Sequence, residues 1–170
     1  MSHRRLCPVL LAVSLVLLLA GSADAVAPEV RDDGKFFSAD ALKKADERIR
    51  DIYKKYDRDV LIETFASVPA ADVDKVKAMD AKERGDYFLA WAKDRVQKRA
   101  VNGVYILICK EPRFLRVGIV ERDPHKFPAG TAGQIDKVMV KHFAEMHFDE
   151  GLDAALTFIE EKLAPPKKDK

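Results

Sequence analysis

Apolar residues recur along this chain with more than one period, and each change of period marks the end of an element. Leu42, Ala45, Ile49, Ile52, Tyr53 and Tyr56 lie three or four apart after Ser38, a suitable N-cap, and predict a helix from about 39 to 56. Val60 to Phe65 is rich in β-branched residues, is closed by Val68-Pro69, and predicts the first core strand. Asp80 and Glu83 stand at capping-box spacing, and Phe88, Trp91, Ala92 and Val96 then form one apolar stripe. A long helix follows, preceded by a short one over 71–79. From Val104 to Cys109 every residue is apolar, the pattern of a strand covered on both faces, which predicts the central strand. Glu111-Pro112-Arg113 then turns the chain, and Phe114 to Val120 returns as a hairpin partner. After an irregular stretch over 121–133, two more helices are predicted over 131–146 and 149–163. Their inward positions are Ile135, Val138, Met139 and Phe143, then Leu152, Leu156, Ile159 and Leu163. The order helix, strand, helix, hairpin, two helices predicts an α/β chain: a three-layer α/β/α sandwich on a small mixed β-sheet.

The first twenty-five residues follow another logic. Arg4 and Arg5 precede an apolar run from Leu10 to Ala20 broken only by Ser14, and Ala23-Asp24-Ala25 is a small-x-small cleavage site. The expectation is a signal peptide over 1–25, a single domain over 26–164 and a basic tail over 165–170. Ser22 stands where lipidation would need a cysteine, so a periplasmic or secreted, unanchored product with no transmembrane helix is expected. Without the leader the chain carries 28 basic and 27 acidic side chains, a balance that disfavours nucleic acid as a partner. Cys109 is then the sole thiol, so no intramolecular disulfide can form and one core must hold the fold.

Catalytic signatures are sparse. There is no Gly-x-Ser-x-Gly elbow, no phosphate-binding glycine loop and no His-Glu-x-x-His motif. Cys109 belongs to an apolar strand, where a thiol behaves as a small hydrophobe. His142 and His147 are five apart, a spacing that does not align two imidazoles on one helix face, and with His125 they read as surface histidines. Trp91 reads as a core anchor. More informative are oxygen donors at strand and loop edges: Asp32 and Asp33 before the first helix, Asn102 before the central strand, Glu121 and Asp123 after the hairpin. Gathered at one sheet edge they would suit calcium; taken singly they are turn and capping residues.

Several segments together resemble the TPM domain family, over nearly all of Val30 to Leu163. Val30-x-Asp32 followed by Ser38 is similar to the family's opening, and Trp91 stands where the family has an aromatic on the helix before the central strand. Asn102-Gly103-Val104 resembles its strand entry, Arg116-Val117-Gly118 its next strand, and Phe143 with Phe148-Asp149-Glu150-Gly151-Leu152 its closing helix junction. The resemblance implies an α/β/α sandwich, with calcium at the strand edge in some members. It also implies two functions: an exported binding or accessory module with a protein partner at or near a membrane, or a divalent-metal-assisted acid phosphatase. Asp32, Asn102 and Glu121 are the implied metal ligands. Two departures weaken that site. Gly118-Ile119-Val120-Glu121 lacks the family's second glycine and shifts the acid by one residue, and His147 replaces an acidic position.

Overall fold

A computed structural model describes residues 29–122 and 127–164; the expected leader and tail, with Asp123 and His125, lie outside the described residues. The elements are β1 (Val30–Asp32), α1 (Ala39–Tyr56), β2 (Asp59–Ser67), a single 3₁₀ turn (Ala70–Asp72), α2 (Val73–Ala78), α3 (Ala81–Arg99), β3 (Gly103–Glu111), β4 (Phe114–Val120), α4 (Thr131–Ala144) and α5 (Phe148–Leu163). Local chemistry sets their ends. Ser38 Oγ accepts from Ala41 N at 3.2 Å at the start of α1, and Asp80 with Glu83 closes the expected capping box on α3. Asp57 and Ala100 take left-handed conformations and stop α1 and α3. The extended lead also contains a strand, β1, which three residues of weak pattern do not announce.

The strand order is β1-β2-β3-β4, with the first three parallel and β4 antiparallel to β3. Alternation along the strands then sorts side chains to two faces. Val60, Ile62, Val104, Ile106 and Val117 pack with Ile49, Ile52, Ile135, Met139, Leu156 and Ile159, under α1, α4 and α5. On the other face Leu61, Tyr105, Leu107 and Cys109 pack with Val76, Phe88 and Ala92, under α2 and α3. The single core expected from chain length is thus divided by the sheet into two, as a three-layer sandwich requires.

The topology carries an unusual feature. Both parallel crossovers step the same way across the sheet, yet α1 lies on one face and α2 with α3 on the other. The two crossovers therefore have opposite hands, so one departs from the right-handed rule that governs almost all such units.

Candidate functional site

Because the chain leaves β1 toward one face and β2 toward the other, the carboxyl ends of these strands flank a topological switch point, where α/β folds usually place a ligand crevice. Asp32 and Thr64 meet there as register partners. Asp32 Oδ1 accepts from Phe36 N at 3.0 Å and from Thr64 Oγ1 at 2.6 Å, while Oδ2 accepts from Phe37 N at 3.0 Å. Thr64 Oγ1 in turn accepts from Gly34 N at 2.9 Å. The loop is wound so tightly that a Cβ on Gly34 would lie 2.7 Å from the Phe36 ring. Phe36 then packs on Phe143 and Phe148, with centroids at 6.1 and 5.2 Å, and Lys110 Nζ sits over its ring, 5.0 Å from the centroid. Three of the four lone-pair directions of the Asp32 carboxylate are engaged in this way. It acts here as the pin of the β1–α1 loop.

Asn102 and Glu121 stand at the opposite end of the sheet. Asn102 N donates to Asp59 Oδ2 at 2.7 Å, and its own Oδ1 accepts from Arg122 N at 3.0 Å. Glu121 Oε1 accepts from Phe127 N at 3.1 Å. Asp32 aligns through Thr64 with Ile108, whereas Asn102 and Glu121 adjoin the pair Gly103 and Val120. The offset from Gly103 to Ile108 is about 17 Å of strand at roughly 3.4 Å per residue. The register brings Asn102 and Glu121 to one end and leaves Asp32 at the other, so the three do not converge on one ion. Among the described residues no group of three His, Cys, Asp or Glu side chains is placed to hold a metal.

Other residues read from the sequence fall as follows. Cys109 is buried, with Sγ 3.4 Å from the Glu111 carbonyl, and burial pushes its thiol pKa up. Trp91 is half-buried, its ring 4.5 Å from that of Phe65. His147 is exposed at the N-cap of α5, makes no side-chain cap bond, and lies 3.5 Å from Glu145.

The strongest electrostatic feature escaped the sequence reading. Glu63, 1% exposed in the middle of β2, accepts from Tyr105 Oη at 2.9 Å and from Arg95 Nε at 2.7 Å, and pairs again with Arg95 Nη2. Arg99 Nε stands 3.9 Å away. Burial pushes the Glu63 carboxyl up, but the bonds from Arg95 and Tyr105 and the two guanidinium charges outweigh it and hold it below its ordinary value. Arg95 also lies over the Phe65 ring at 5.7 Å. A lone Glu in an otherwise apolar strand was the available signal, since a buried charge demands a partner.

The TPM domain model matches residues 30–162. The chain belongs to the TPM domain family. Among solved structures, the N-terminal domain of a protein from P. gingivalis is similar at a TM-score of 0.60 and 14% identity, covering 83% of this chain and 84% of that one. The N-terminal domain of the cg2496 protein from Corynebacterium glutamicum is similar at 0.56 and 8% identity, covering 96% and 93%. At such identities these likenesses concern the fold. No curated protein matches the chain.

In this TPM domain the residues that carried the family resemblance have structural work to do. A Cβ on Gly103 would run into the Asp59 carbonyl, and one on Gly151 would lie 2.8 Å from the Phe143 ring, so these positions set close approach of β3 to β2 and of α5 to α4. Asp149 Oδ1 accepts from Ser38 N at 2.9 Å and ties α5 to the start of α1. In this chain these positions serve packing, and the fold is compatible with more than one use.

Proposed function

We propose that this TPM domain is an exported binding or accessory module, periplasmic or secreted, that engages a protein partner at or near a membrane by strand addition to β4. The observation that supports this is the edge itself. β4 pairs with β3 alone among the described residues, and along its length Phe114-Leu115-Arg116-Val117-Gly118-Ile119-Val120 offers a single charge, Arg116. Natural edge strands are normally guarded by several charges, proline or a bulge, because open backbone groups recruit other strands. An extended segment docking there gains backbone hydrogen bonds along β4 and contacts to Val120, 37% exposed. The alternative, a metal-assisted phosphatase, draws less support: Asp32 and Glu121 lie at opposite ends of the sheet, and both accept backbone N–H groups. Calcium is secondary in this reading, with Asp32 its candidate ligand in the crevice.

A photo-crosslinking residue at Arg116, in cells exporting the full chain, should give a discrete adduct that Val120→Lys removes and that the same probe at Lys82 does not form. Equal adducts from both positions, or adducts that survive Val120→Lys, would overturn the reading. Metal-dependent hydrolysis of p-nitrophenyl phosphate that disappears in Asp32→Asn would establish the phosphatase instead.

A further inference from the structure

The open edge of β4 has an order of its own. The strand runs from Phe114 to Val120, with Arg113 just before it and Glu121 just after, and Val117 is its midpoint. We infer that β4 pairs antiparallel with β4 of a second copy of this chain, about a two-fold axis at Val117, so that two four-stranded sheets become one. This pairing rests on the strand-addition reading above and names the strand that fills the edge.

Directly opposite residues of an antiparallel pair share a face of the sheet, so a symmetric pairing must centre on a residue rather than between two. Charge then selects the residue. Centred on Arg116, the edge would set that guanidinium against its own copy and Glu111 against Glu121. Centred on Leu115 or Gly118, it would pair fewer residues of the strand. Centred on Val117, it pairs the whole strand and sets Arg116 opposite Gly118, where even a Cβ would meet nothing within 4 Å. The same register brings Arg113 opposite Glu121 at both ends, so unlike charges meet and like charges do not. The other opposites are apolar: Leu115 with Ile119 on the face of α4, and Phe114 with Val120 on the face of α3. None of these four is fully buried in the single chain, so each has apolar surface left to cover. Helix α4, packed on β4, adds to the contact. It carries Asp136, whose carboxyl burial pushes up and Arg116 pulls down, and one turn further on Val140, 48% exposed. Pairing gathers two Arg116 guanidiniums and two Asp136 carboxylates about one axis. Because the contact is isologous it uses the β4 edge of both copies and closes at two.

Sedimentation equilibrium of the purified protein should show monomer and dimer exchanging in the micromolar range, as suits a contact below the standard interface size. Gly118→Arg, which sets cation against cation at two places, should weaken the dimer about tenfold, and Gly118→Asp, which offers Arg116 a carboxylate, should tighten it. The space around Gly118 admits either side chain, so both variants should stay folded, and their amide spectra check this. Arg113→Glu should also weaken the dimer, and adding Glu121→Arg should restore it. A protein that stays monomeric at millimolar concentration would overturn the inference. So would a dimer indifferent to both Gly118 variants, or a loss in Arg113→Glu that the reciprocal change does not recover. Crosslinking at Arg116 separates this pairing from the reading beneath it. An adduct of twice the chain mass supports both; an adduct with another protein, from a chain that is monomeric when pure, keeps the strand-addition reading and overturns the dimer.

Discussion

The two faces of the sheet are built from different materials. Under α1, α4 and α5 the strands present Val60, Ile62, Val104, Ile106 and Ile108, joined by the buried hydroxyl of Thr64 and by no buried charge among the described strand residues. Under α2 and α3 the same strands present Tyr105 and Glu63, the latter closed by Arg95, beside a chain of rings running through Phe65, Trp91, Tyr87, Phe88 and Phe114. The first face is non-directional: any well-shaped apolar side chain adds stability in proportion to the area it buries. On the second face a buried charge fits in one place alone, because an ion without its partner is costly while a mispacked leucine is not comparably so. Glu63 and Arg95 thereby fix the seating of α3 on β2. A buried pair of this kind specifies an arrangement more than it stabilises one.

The sharpest way to break the contrast is to remove one ion. Arg95→Ala leaves the buried Glu63 with only the Tyr105 hydroxyl and the more distant Arg99 as partners and should cost about 3 kcal/mol by denaturant unfolding. The double change Glu63→Leu with Arg95→Met should recover most of that loss. If the single variant is as stable as wild type, the pair does not organise this face.

Trp91→Ala probes the rings beside the pair. The indole is half-buried against Phe65, so the expected cost is about 2 kcal/mol, below the 3–5 typical of a fully buried aromatic. A larger loss would make Trp91 the core anchor that its helical spacing suggests; an unchanged midpoint would mark it as a free surface ring.

The Glu63 and Arg95 pair should also give this face an acid sensitivity of its own. Glu63 has its pKa lowered by folding, so its contribution is fully present above the ordinary carboxylate value, about 4.3, and is lost as pH falls through the lower folded value. Stability measured from pH 6 downward should fall, and Glu63→Gln should flatten part of that slope. An identical slope in the variant would assign the acid sensitivity to other carboxylates.

The smallest signal concerns Cys109 on the same face. Burial raises its thiol pKa, so a thiol reagent at neutral pH should react slowly with the native protein and rapidly in denaturant. Equal rates in both states would mean that α2 and α3 do not cover β3.

Much of the fold was legible in the pattern of residues. The two long helices before β3, the apolar central strand, the return strand and the two closing helices were placed from period, caps and turn residues, because those signals act within a few positions of one another. Family membership was legible too, since glycines at close approaches and an aspartate on a loop recur at set spacings for steric reasons. The sequence by itself therefore determined which elements form and which layers they make. Tertiary structure alone decided what meets what. The pairing of β1 with β2, the opposite hands of the two crossovers and the partnership of Glu63 with Arg95 all join residues far apart in the chain, and no local pattern encodes such distances. The same holds for the candidate ligands. Asp32, Asn102 and Glu121 each stand beside a strand, but which end of the sheet each occupies depends on strand direction and register, and these arise when the strands pair.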